Sequence, residues 1–157
     1  NKKTINELNT APIQKEVLRS FVNWVNRFNP RQGNLWEAPI VAGYNIVGFD
    51  LPIINNKLQK YKLSLDKDGQ VALWNKRTIL DLIFVLWTWF ESSPDPSNYK
   101  LDTFRTYFGM TGDSIGKAHS ALQDCKDTAK ILKRIIELHR KLGQKIVFKG
   151  ALSNDVV

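Results

Sequence analysis

A single cysteine, Cys125, stands in a chain of 157 residues, and that scarcity excludes an internal disulfide and a thiolate zinc cluster. A reducing, cytoplasmic setting is the expectation that follows. Long apolar runs are missing too. The longest, Thr78 to Phe90, is interrupted by Asp81 and is too short to cross a bilayer, so a buried helix is expected there and no membrane partner. The opening residues, Asn1 to Thr10, are polar and lack the apolar centre of a secretory signal. The chain begins on asparagine rather than methionine, as a processed or truncated N-terminus would. Acids are in short supply: 15 Asp and Glu face 23 Lys and Arg, a formal net charge of +8. That imbalance points to a polyanionic partner, because neutralising phosphates releases counterions and steers association.

What is present is ordinary for a globular protein, with 43% hydrophobic and 24% charged residues. The length suits one domain, 1–157, and a chain of this size hides roughly two-thirds of its unfolded surface. Much of the excess charge lies between Lys126 and Lys149, where eight basic residues meet only Asp127 and Glu137. Such a run reads first as the solvated face of a helix.

Apolar residues recur at helical spacing from Ile13 to Phe28, and Pro12 suits a first turn. Turn formers Asn29 to Asn34 end that segment, and Ala38 to Tyr44 reads as a short buried strand with Asp50 just beyond it. A helix is expected over Leu51 to Tyr61, opened by Pro52. Asp66-Lys67-Asp68-Gly69 is a turn signal, so residues 62–77 read as a small hairpin insert or a surface loop. Thr78 to Phe90 reads as a core helix whose β-branched start also suits a strand, and Leu101 to Phe108 as a short helix stopped by Gly109. Thr111 to Lys117, with two glycines, reads as a connection. The longest helix is expected over Leu122 to Leu142, with Leu122, Cys125, Ala129, Leu132, Ile135, Ile136 and His139 on its apolar face and Gly143 as its stop. Of the tryptophans, Trp24, Trp74, Trp87 and Trp89 sit in apolar settings and read as core, while Trp36, beside a turn, reads as exposed. Exposed tryptophans can stack unpaired bases.

Two segments end apolar stretches in aspartate: Gly43-Tyr44-Asn45-Ile46-Val47-Gly48-Phe49-Asp50, and His119-Ser120-Ala121-Leu122-Gln123-Asp124. Phosphodiester hydrolysis needs divalent ions on the attacking and leaving oxygens, carboxylates to hold them, and a base near neutral pH for the water. Asp50, Asp124 and His119 are those types. Each also has a plainer reading: Asp50 as the cap of the next helix, Asp124 as a first-turn acid behind an N-cap Ser120, and His119 as a loop residue; Asn45 likewise reads as a turn residue and Phe49 as core packing.

GYNIVGFDLPII and HSALQDCKDTAKIL together resemble the second and third motifs of the DEDD superfamily of 3′→5′ exonucleases, in the histidine branch, DEDDh. TILDLI around Asp81 and YKLDTFRTYFG around Leu101 resemble the segments between those motifs, so the resemblance runs from about Ile13 to Leu142. It implies an α/β, ribonuclease H-like exonuclease fold, a mixed sheet flanked by helices, with the first strands missing from this chain. It implies two Mg²⁺ or Mn²⁺ ions as cofactors, Asp50 and Asp124 as metal ligands, His119 as the base, and Asn45 and Phe49 as residues that position the motif or the terminal nucleotide. Single-stranded or 3′-ended DNA or RNA would be the substrate, in proofreading, DNA repair or processing. A polymerase, another nucleic-acid-processing protein or the missing N-terminal segment would be the partner. The family's first motif, Asp-x-Glu, occurs nowhere in the 157 residues, and Lys145 to Val157 holds only Asp155, so a permuted first strand is not there either. The alternative expectation is a catalytically incomplete nucleic-acid-binding or scaffolding module of the same fold.

Overall fold

The computed structural model describes residues 4–29, 34–110 and 121–145, with the backbone alone at 7 and 8. The expected turn at Asn29 to Asn34 falls largely outside them, as do the 111–117 connection, Ser120 and His119. The chain forms two compact units, Asn1–Thr88 and Trp89–Val157. No helix among the described residues is long and apolar enough to cross a membrane.

The first unit opens with α1 (Ile5–Asn9) in a segment where the sequence suggested no element, followed by α2 (Gln14–Asn26). Val22 and Val25 of α2 are buried, with Leu18 and Phe21 packed beside them. Strand β1 (Val41–Gly43) pairs in parallel with β2 (Ile79–Asp81), Val41 opposite Ile79 and Gly43 opposite Asp81. Parallel neighbours require a crossover. Helix α3 (Asp50–Lys60) and the turns after it supply that connection. Leu51 and Leu58 of α3 join Ile46, Val71, Leu73, Trp74 and the α2 valines in one core. Each fully buried leucine there contributes about 1.5–3 kcal/mol relative to exposure.

Gly43 ends β1 for a steric reason. A Cβ on it would lie 2.1 Å from Ile46 Cγ2, so a side chain at 43 would drive Ile46 out of the core. The 66–69 turn closes as its residues suggest: Asp66 N–H donates to Gln70 O at 2.8 Å, and Leu65 bridges Val71 in antiparallel fashion. Asp66 accepts hydrogen bonds from the backbone N–H of Gln70 (2.8 Å) and Asp68 (3.0 Å) and from Lys76 Nζ (3.1 Å). The Gln70 N–H contributes most to holding the Asp66 carboxyl below its ordinary range.

The apolar run from Thr78 divides where its β-branched start allowed. Ile79–Asp81 is strand, and α4 (Leu82–Phe90) follows, its last two residues reaching into the second unit. In that unit α5 (Leu101–Tyr107) ends as the sequence indicates, with Gly109 at φ 67°. Gly109 N–H donates to Thr106 O and Met110 N–H to Arg105 O, the pair of bonds a left-handed C-terminal residue permits. Phe104 sits at the centre of an aromatic group with Phe90, Tyr99, Tyr107 and Phe108.

Helix α6 (Ala121–Lys145) corrects two expectations. It runs through Gly143, because one interior glycine costs only about 1 kcal/mol and Gln144 and Lys145 are good helix formers. Its buried face is also rotated from the apolar count: Asp127, Thr128, Ile131 and Ile135 are buried, whereas Leu122, Cys125, Ala129 and His139 are exposed. The cause is a hydrogen-bonded carboxylate, Asp127, facing inward. His139 still lies against a ring, 4.9 Å from Trp89. Trp74 is core as expected, but Trp24 and Trp87 are 52% and 55% exposed. Trp24 meets Phe21 on α2 (6.2 Å, stacked) and Phe28 just beyond the helix end (5.2 Å, edge-on), which covers part of its surface locally without burial.

Candidate functional site

In the first unit, the turn from Tyr44 to Phe49 carries three of the residues singled out by sequence: Asn45, Phe49 and, as the first residue of α3, Asp50. The turn is held from beneath by Asp81, at the end of β2. Asp81 Oδ1 accepts the Asn45 N–H at 2.7 Å and the Ile83 N–H at 3.3 Å, and Oδ2 accepts the Val47 N–H at 3.0 Å. A buried carboxylate with three backbone donors is the satisfied form of an otherwise costly group. Its field has a second effect. Burial, and then the negative charge of Asp81, raise the Tyr44 phenol far above its ordinary value, so Tyr44 stays neutral.

Asn45 takes the left-handed conformation, φ 55°, which asparagine tolerates better than most residues. A Cβ on Gly48 would lie 2.9 Å from its Oδ1, so the amide leans over the glycine of its own turn. Phe49 is 61% exposed and is not core, since the turn directs it outward while Leu51 takes the buried place. Leu51 N–H closes the turn on Ile46 O at 2.9 Å. Asp50 is exposed at the helix start, where the dipole favours a carboxylate.

In the second unit, Asp124 lies in the first turn of α6 and meets a residue that the sequence reading passed over. Arg105, on α5, is 6% exposed and is shared among three carboxylates. Its Nη2 donates to Asp124 Oδ1 at 2.6 Å, its Nε to Asp127 Oδ2 at 2.8 Å, and its Nη1 to Asp102 Oδ1. Asp127 Oδ1 accepts from Gln123 Nε2 at 2.8 Å, so that fully buried carboxylate has both oxygens bonded. Burial opposes the guanidinium charge, but the bonds to Asp124, Asp102 and Asp127 outweigh it and raise the Arg105 pKa. Signals for both hidden residues were present. Asp81 is an acid inside an apolar run, and Arg105 follows Asp102 by three on a short helix.

Asp50 and Asp124 belong to different units, and each is described within its own. As ligands for a divalent cation they fit in part. Both are oxygen donors of the hard type that Mg²⁺ and Mn²⁺ select. Asp50 is exposed, while Asp124 offers a partly exposed carboxylate with one oxygen already on Arg105. Among the described residues no three His, Cys, Asp or Glu side chains gather as a metal cluster.

Comparison with known proteins gives one distant likeness. The chain is 26% identical over 137 residues to a DNA polymerase III PolC-type of Caldanaerobacter subterraneus subsp. tengcongensis, covering 87% of this chain and 8% of that protein. The chain thus spans under a tenth of the relative's length. No family model matches, and no solved structure matches significantly.

Proposed function

We propose that this chain is a 3′→5′ exonuclease-type domain acting on DNA or RNA ends, with a ribonuclease H-like fold and divalent ions at its site. The observation that carries the reading is Asp50: an exposed carboxylate at the start of α3, presented by a turn whose backbone is fixed on buried Asp81. The net charge of +8 and the distant likeness to a DNA polymerase support a nucleic-acid substrate.

In this reading Asp50 and Asp124 are metal ligands, joined by oxygens that lie outside the two of them. Bound divalent ions would polarise the phosphodiester and steady the attacking and leaving oxygens. Asp124 would be aimed by Arg105, which fixes one carboxylate oxygen and leaves the other for the ligand. His119 would accept the proton of the attacking water at an imidazole nitrogen, a role suited to an unperturbed pKa near 6.5. Asn45 and Phe49 would set the turn and meet the terminal nucleotide.

A second reading is favoured by one observation: one carboxylate oxygen of Asp124 is already engaged by Arg105. A nucleic-acid-binding module that has lost the chemistry would look so. The test is release of nucleoside 5′-monophosphates from a labelled oligonucleotide in Mn²⁺. The exonuclease reading expects release that Asp50→Asn and Asp124→Asn each abolish, and that His119→Ala slows through turnover more than through affinity. Tight binding of the oligonucleotide in chelator, with no Mn²⁺-dependent release, selects the binding module instead.

A further inference from the structure

Apart from these acids, the first unit carries a platform built from two loops. Trp36 is 66% exposed, and the Arg77 guanidinium lies over its ring, 4.0 Å from the centroid. The backbone of Trp36 is held at both its N–H and its carbonyl. Trp36 N–H donates to Asn34 Oδ1 at 3.0 Å. Asn75, itself buried, ties the two loops together: its Nδ2 donates to Trp36 O at 3.3 Å, its N–H to Pro39 O at 3.0 Å, and its Oδ1 accepts the N–H groups of Arg77 (2.9 Å) and Thr78 (3.1 Å). The backbones that carry Trp36 and Arg77 are therefore tied by the same amide.

Between the loops lies a cleft of about 220 Å³ lined by Leu35, Trp36, Asn75, Lys76 and Arg77. It is smaller than the roughly 300–1,000 Å³ typical of drug-sized ligands, and suits one flat ring system. The charges around it are unequal in availability. Lys76 is paired with Asp66 at 3.1 Å, and Glu37 adjoins Trp36 in sequence, whereas Arg77 has no carboxylate partner among the described residues. A neighbouring cleft of about 260 Å³ shares Lys76 and is lined by Asn55, whose buried Oδ1 accepts no hydrogen bond.

We propose that the Trp36–Arg77 platform is a subsite for single-stranded nucleic acid, taking one unpaired base by stacking on the indole and the adjoining phosphate on the guanidinium. The chemistry supports each part. Aromatic faces stack bases without sequence preference, and arginine ordered by a ring retains its N–H fork for a phosphate. The inference rests on the nucleic-acid reading above but not on catalysis.

The test is fluorescence anisotropy of a labelled short oligothymidylate with the whole chain in chelator, so that hydrolysis is absent. Trp36→Ala is expected to weaken binding about ten-fold or more, in line with the ~1–3 kcal/mol per stacked base removed by alanine, while Trp36→Phe retains most of it. Arg77→Ala should weaken binding and lower the salt slope by about one phosphate contact. Trp24→Ala and Trp87→Ala, at comparably exposed tryptophans, should leave affinity unchanged. An affinity for Trp36→Ala within two-fold of wild type, or an equal loss in all three tryptophan variants, overturns the subsite and leaves the exonuclease reading standing. No binding by the wild-type chain in chelator overturns the subsite, and no binding together with no release in Mn²⁺ overturns the nucleic-acid reading with it.

Discussion

Arg105 decides more than any other single residue in the second unit. Its three carboxylates are not equal partners, and exposure ranks them. Asp102 is more than half exposed and contributes the ~0–1 kcal/mol of a surface pair; Asp127 is fully buried and cannot lose its cation without retaining an unpaired charge. Arg105→Ala is therefore expected to cost about 3–5 kcal/mol in urea unfolding. Asp102→Ala should cost less than about 1 kcal/mol. The double change Arg105→Met with Asp127→Leu, which removes the buried charges together, should recover most of the loss. Equal effects of Arg105→Ala and Asp102→Ala would show that the network is a surface one. The same network holds Asp124 by one oxygen, so Asp124 serves a structural contact whatever else it binds. That duality is not legible in the sequence, where Asp124 is a first-turn acid: the contact joins residues 19 apart, and spacing reveals helix neighbours but not a partner on another helix. His119, the base of the proposed mechanism, lies outside the described residues.

At the scale of elements, periodicity locates the long helices among the described residues and fails where a polar residue faces the core. α2, α3 and α5 lie where their apolar spacing put them, and the 66–69 turn closes on Asp66 as its residue types require. A count of apolar residues misplaces the buried face of α6 because it assigns no inward place to Asp127. β2 is half legible, since the β-branched start at Thr78 and Ile79 fits a strand while Asp81 interrupts the apolar run. In the structure Asp81 is the reason the Tyr44–Phe49 turn has a fixed shape. Asp81→Asn keeps the volume and replaces one acceptor oxygen by an N–H group facing backbone donors. It should destabilise the chain by about 2–4 kcal/mol, the cost of losing charge-assisted bonds and leaving a buried donor unpaired. A second readout separates this from general loosening. The folded Tyr44 phenol is raised above its unfolded value of about 10, so its contribution to stability is complete below that pH and is lost as pH rises through the folded value. Removing the Asp81 charge should bring the Tyr44 transition down in an alkaline absorbance titration, though not fully, because burial is the larger cause. An unchanged tyrosine titration would mean that the Asp81 charge does not reach the ring.

For the whole molecule the governing quantity is charge. A net +8 that served only solubility would leave nucleic-acid binding weak and nearly independent of salt, whereas a binding surface releases counterions in proportion to the phosphates it neutralises. For single strands the slope of log affinity against log salt is about −0.7 per phosphate contact, so four or five contacts give roughly −3. Lys126, Lys130 and Lys133 occupy exposed turns of α6, spaced four and three apart, and so share one helix face. Of these, Lys133 is weakly paired with Glu137 at 3.8 Å. Changing all three to glutamate should leave unfolding nearly unaltered, since exposed pairs are worth little, while flattening the salt slope if this face tracks the phosphate backbone. A steep slope that survives the triple change would assign the contacts to other basic residues, Arg77 among them. A flat slope already in the wild-type chain would reduce the excess of lysine and arginine to a solvation feature, and with it the electrostatic support for a nucleic-acid substrate.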